Sequence, residues 1–205
     1  MKASKGRIPL AFLGLVMAAG VVLTGCGSDD SDEATSAGIR SYVGTVQGTS
    51  ALVAVVTDGS RALAYVCDGM PAEPQGTAPT IQTWFNGGSD GKAVDIQQGA
   101  SRLKLQLTGS AMAGTVTLTD GRTLNISGVP VEGDAGLYRA DTSGTAGKGA
   151  AGWILAADGQ QRGGFGDGIT VKGVKTLTLS QPTFSLQGLA SARIAKVGIT
   201  PIPIP

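Results

Sequence analysis

The chain has 205 residues, a formal charge of +1 at pH 7 and no histidine. Lacking histidine, it cannot build a His-dependent catalytic triad, a His-ligated zinc hydrolase site or a His-bound copper or iron centre. Its charge is balanced, without the clustered basic surface that nucleic-acid binding requires, and no nucleic-acid partner is predicted.

Lys2, Lys5 and Arg7 form a basic start, followed by an apolar run from Ile8 to Leu23. That run is shorter than the roughly 20 apolar residues of a membrane-spanning helix and suits a signal peptide. It ends in Leu23-Thr24-Gly25-Cys26, with a small acidic segment behind it. This stretch resembles the lipobox of bacterial lipoproteins. The resemblance implies cleavage between Gly25 and Cys26 and a diacylglyceryl group on the Cys26 sulfur. It places the protein on the extracytoplasmic face of the cell membrane, with that membrane as its partner. Two acyl chains hold firmly where one holds marginally.

Residues 1–25 are thus read as signal peptide and 26–39 as the lipidated cysteine with a flexible acidic tether. Small and charged residues from Gly27 to Gly38 cannot bury a core. Asp29, Asp30, Asp32 and Glu33 lack the loop glycine and bidentate partner of a calcium site. No metal or cofactor is predicted.

From Tyr42 onward the hydrophobic period is two. Leu103, Leu105 and Leu107 alternate with Arg102, Lys104 and Gln106, while Val116 and Leu118 alternate with threonines. Val94, Ile96, Leu124 and Ile126 continue the pattern, which marks antiparallel strands with one wet face. Asp58-Gly59, Asp120-Gly121 and Asp158-Gly159 read as hairpin turns. Ala51–Val56, Arg61–Cys67 and Gly152–Ala157 are apolar on both sides and should be covered on both faces. Thirty-three glycines, more than twice the usual share of about 7%, fit short strands joined by tight turns.

These features predict an all-β fold. An antiparallel up-and-down meander would close into a small barrel of about eight strands over 40–165, removing exposed edges. A β-sandwich is the alternative. Residues 166–205 are read as a C-terminal extension of short strands and extended chain, ending in Pro201-Ile202-Pro203-Ile204-Pro205. The run Gly163-Gly164-Phe165-Gly166-Asp167-Gly168 lacks the lysine and hydroxyl of a phosphate loop and is read as a hinge between barrel and tail.

The aromatic inventory is small: two Trp, three Tyr and four Phe. Trp153, inside a strand pattern, is assigned to the core. Trp84 and Phe85 precede Asn86-Gly87-Gly88, read as a turn, and are the candidates for a contact at the barrel rim. Acylation of Cys26 leaves Cys67 no partner within the chain, and its strand setting, Ala64-Tyr65-Val66-Cys67, assigns it to the core. Asp68, Asp95 and Glu132 are the carboxylates not assigned to turns, and nothing pairs them for glycoside hydrolysis. No catalytic residue is assigned, and the protein is read as non-enzymatic. Three short strings, Tyr65-Val66-Cys67-Asp68-Gly69, Gly136-Leu137-Tyr138-Arg139 and Gly152-Trp153-Ile154, resemble segments of exported or membrane-attached proteins of high-GC Gram-positive bacteria.

Two functions follow. One is a tethered barrel that holds a lipid or small apolar ligand. The alternative is a structural or protein-interaction module of the cell envelope, using the rim, the 68–80 loop or the C-terminal tail.

Overall fold

Eight strands run in chain order around a barrel in a computed structural model that describes residues 38–144, 147–186 and 191–198. They are β1 (Arg40–Val46), β2 (Leu52–Thr57), β3 (Arg61–Cys67), β4 (Gln82–Gly88), β5 (Ala93–Gln98), β6 (Ser101–Leu107), β7 (Met112–Thr117) and β8 (Thr123–Val131). Every neighbouring pair is antiparallel, and β8 returns to pair with β1 along Ser41–Val46. Among the described residues there is no helix.

The ring is sealed at every junction except one. β4 and β5 share a single bridge, Ser89 with Val94, tightened by the Ser89 hydroxyl donating to the Ala93 carbonyl at 3.1 Å. Asn86-Gly87-Gly88 does not make the turn at this seam. All three residues lie in β4, where the Ile96 side chain sits against Gly87. The chain reverses later, through Asp90-Gly91, with Gly91 at φ 79°. An acceptor carboxylate completes that turn: Asp90 Oδ1 takes the amides of Lys92 and Ala93.

The predicted Asp-Gly pairs all form turns, and Gly59, Gly121 and Gly159 adopt φ of 90°, 84° and 85°. Positive φ is sterically cheap only without a Cβ, which is why glycine stands there.

Inward-facing side chains fill the barrel. Tyr42 on β1, Phe85 on β4, Leu103 on β6, and Met112 and Val116 on β7 belong to one buried apolar cluster. An eight-stranded barrel is just wide enough to be filled by side chains or to hold one small ligand, and here these side chains occupy it. Outward faces differ around the ring. β6 alternates strictly between buried and exposed residues, whereas every residue of β2 is buried.

The cover over β2 and β3 is a second, five-stranded sheet. It contains β9 (Gly136–Gly144), β10 (Gly147–Leu155), β11 (Gln161–Gly166), the two-residue β12 (Val171–Lys172) and β15 (Ala195–Lys196). The barrel strands therefore end at Val131, and the span 40–165 also holds most of this second sheet. Leu137 and Ile154 meet Leu52, Val56 and Leu63 across the interface.

The glycine run at 163–168 is not a hinge. Gly163 to Gly166 pair with Trp153 to Ala150 inside the sheet. A Cβ on Gly164 would come within 2.6 Å of the Pro79 ring, so the run permits close packing of the 68–80 loop.

A third layer lies beyond the second sheet. Val174, Leu177, Phe184 and Ile194 cover Tyr138, Trp153 and Phe165. The strands expected within Ile169–Leu179 and Thr183–Leu186 shrink to β12 and to β13 (Thr183–Phe184), which pairs with β14 (Ala192–Arg193). Residues 1–37 and 201–205, with Cys26, the tether before Gly38 and the proline-rich end, lie outside the described residues.

Candidate functional site

The 68–80 loop begins and ends on one carboxylate. Asp68 Oδ1 accepts the amides of Thr80 (2.8 Å) and Ile81 (2.9 Å), and Oδ2 accepts the Thr80 hydroxyl. Asp68 is thus a clamp that closes the loop between β3 and β4.

Between these ends the loop lies along residues 173–175. The amides of Ala72 and Gly76 both donate to the Val174 carbonyl, at 3.3 and 2.9 Å. The Gln75 side-chain amide donates to the Gly173 carbonyl at 3.1 Å, across 98 positions of sequence. A Cβ at Gly173 would fall 1.9 Å from the Gly76 oxygen, so only glycine allows this approach. Lys175 Nζ lies 3.4 Å from Glu73 Oε2, joining the two segments at the surface.

The tail is fixed equally well from below. Trp153 Nε1 donates to the Lys175 carbonyl at 2.8 Å. Gln161 brackets Leu177, accepting its amide at 2.9 Å and donating to its carbonyl at 3.2 Å. Phe184 meets the Trp153 ring edge-on at 5.4 Å and stacks on Phe165 at 6.1 Å.

Between loop and tail lies a cavity of about 300 Å³. Trp153, Phe184 and Ile194 form its base, and Thr176, Thr178, Gln181, Thr183 and Ser185 line it above. Those five polar residues are all exposed. A second cavity of about 180 Å³ adjoins it, sharing Lys175, Phe184 and Ser185. Together they make a polar trough on a rigid aromatic base.

The aromatic pair proposed for the rim is elsewhere. Phe85 points into the barrel and is fully buried, while Trp84 faces the second sheet and is 5% exposed. Successive strand residues face opposite ways, and here both faces are covered. Trp84 stacks on Tyr65 at 4.2 Å, with the Arg139 guanidinium carbon 4.7 Å from its ring centre. The Arg139 side chain is only 4% exposed and pairs with Asp141 at 2.6 Å. Burial pushes the Cys67 thiol up to about 11 and the Tyr65 phenol well above its ordinary value. These groups belong to the seam between barrel and second sheet.

Asp95 lies on the outer barrel wall in a two-point ion pair with Arg102, both contacts 2.8 Å. Beside it Lys104, Gln106 and Thr115 border a shallow cavity of about 340 Å³. Glu132 follows β8 and is exposed. Asp68, Asp95 and Glu132 therefore occupy three different elements, and no group of three metal-ligating side chains forms among the described residues.

The sequence marks loop and tail each as a contact surface, but not their junction. Its signal is the outward-inward beat of Val174, Lys175, Thr176, Leu177 and Thr178, too short to separate from ordinary coil. No protein-family model matches this chain, and neither the curated proteins nor the solved structures contain a significant match.

Proposed function

We propose that the protein is a non-enzymatic binding module of the cell envelope. A diacylglyceryl group on Cys26 holds it at the extracytoplasmic face of the membrane, and the loop–tail trough is its binding surface. The observation that carries this reading is the junction itself. Two segments 98 positions apart are locked together by backbone and side-chain bonds, yet the residues above the lock are exposed hydroxyls and amides that the fold does not use for packing. Rigid elements that present polar groups bind with little loss of conformational freedom.

The reading of an apolar ligand inside the barrel is the weaker one, because the interior is occupied by Tyr42, Phe85, Leu103 and Met112. Carboxylate chemistry is also disfavoured. Asp68 is engaged as a loop clamp and Asp95 in an ion pair.

Two measurements test the proposal. In cell fractionation, wild-type protein should enter the detergent phase with the mass of a diacylated Cys26, and Cys26→Ala should not. A Cys26→Ala protein that stays in the membrane at unchanged mass refutes the anchor. Native mass spectrometry should show the acylated chain alone; a lipid retained without covalent attachment would restore the barrel-ligand reading.

A further inference from the structure

We infer that the trough binds a neutral polyhydroxylated chain, that is, a segment of envelope glycan. This rests on the reading of the trough as the binding surface and specifies what occupies it.

Three features select this chemistry. First, the lining is dominated by groups that both donate and accept hydrogen bonds: the hydroxyls of Thr176, Thr178, Thr183 and Ser185 and the carboxamide of Gln181. Sugar hydroxyls have the same dual character, so each can be satisfied in either direction. Second, the charged groups at the trough cancel. Glu73 and Lys175, the two charged residues that line it, stand 3.4 Å apart and offset each other. The carboxylate can still accept, and the ammonium can still donate, charge-assisted bonds to hydroxyls. Third, the site has two adjoining parts. Cavities of about 300 and 180 Å³ share Lys175, Phe184 and Ser185, which suits consecutive rings of a chain better than one compact molecule.

A peptide fits less well. Proline-rich peptides need a groove walled by aromatic faces. Here Trp153 and Phe184 lie buried at the base, one edge-on to the other. The tail backbone is already engaged with Trp153 and Gln161.

The test uses the full chain in a detergent without a sugar headgroup. It is applied to an array of defined neutral gluco-, manno-, galacto- and arabino-oligosaccharides, beside uronic-acid and phosphate-bearing ones. Retention of a neutral oligosaccharide is expected, unchanged by 0.5 M salt, because the recognition is not electrostatic. Thr178→Val and Thr183→Val should each weaken it about five- to tenfold, the scale of one lost hydrogen bond. Thr115→Val, on the outer barrel wall, should not change it. The inference is overturned if no neutral glycan is retained, if only acidic ones bind and are lost in salt, or if the trough variants bind as wild type does. A photo-crosslinker at Ser185 in living cells separates the two levels. An adduct with a protein, beside an empty array, overturns the glycan and keeps the trough as a binding surface. Neither adduct nor retention overturns both.

Discussion

Cys67 and Gly152 meet at one interface and fail in different ways. Cys67 is fully buried, and its thiol is raised to about 11 by loss of solvent. At pH 7 only about one molecule in 10⁴ would carry the reactive thiolate. A chromogenic disulfide reagent should therefore leave Cys67 unmodified in native protein and react fully after denaturation. Rapid native labelling would mean that the second sheet lifts from β3. Gly152 is constrained by contact. A Cβ there would lie 2.6 Å from Trp84 Cζ2 and 2.8 Å from Tyr65 Cε1. Both rings are rigid and stacked, so Gly152→Ala should cost about 1–3 kcal/mol, the range for overpacking a core. Urea denaturation with an unchanged slope would measure it, and a neutral result would show that the sheets slide apart at no cost. The burial of Cys67 was legible because it follows a run of apolar residues. The position of Trp84 was not, since its cover comes from Gly152 and Arg139, far along the chain.

At the level of elements, turns and strands carried different amounts of information. Alternation revealed β5 to β8 because their outer faces remain in water. The two-sided runs revealed β2 and β10 because both faces are covered. Glycine misled in β11 and β4, where its absent side chain admits Pro79 of the 68–80 loop and Ile96 of the barrel interior rather than making a bend. The Asp turns repeat one device: the carboxylate accepts the backbone amide two residues ahead, and at Asp58, Asp90 and Asp167 also the amide three ahead. Asp58, Asp120 and Asp158 were visible through their Asp-Gly pairs. Asp167 was hidden in the glycine run, and it accepts the amides of Ile169 and Thr170 at 2.9 and 2.6 Å. Led by the Thr170 amide, these bonds hold the Asp167 carboxyl at about 2. Its folded value lies below the unfolded value of about 3.9. Its contribution is thus complete above pH 4 and is lost as pH falls toward 2. Asp58, Asp90, Asp120 and Asp158 are lowered in the same direction, each chiefly by a backbone amide. Melting temperature should fall between pH 4 and 2. Asp167→Asn, which keeps the acceptor but not the charge, should flatten that fall. An identical acid profile would show that these carboxylates do not govern the transition.

The described residues form a barrel supported on one side by successive layers, and each layer depends on the next. The closed order of eight strands was legible from hairpins alone, because sequential strands pair in space. The second sheet was not, because its strands carry the same hairpin signals and nothing local says where the ring closes. The role of the tail follows from the third layer. Removing residues after Gly166 would delete Val174, Leu177, Phe184 and Ile194, all buried against Tyr138, Trp153 and Phe165. Each such side chain contributes about 1.5–3 kcal/mol of burial, and the total rivals the net stability of many domains. The same deletion removes β12 and β15, which border β11 and β9, and unpaired edges promote association. A chain truncated after Gly166 should therefore keep barrel-type far-UV dichroism while its second sheet loosens and aggregates. In a Trp84→Phe background, where Trp153 is the only indole, its emission should shift to the red and its melting transition should separate from that of the barrel. Unshifted emission with a single unchanged transition would show that the tail is only laid on the sheet. In the expected case, loss of a partner on truncation reports unfolding of the second sheet. Only point changes above the lock, such as Thr178→Val, can then assign a binding role to the trough.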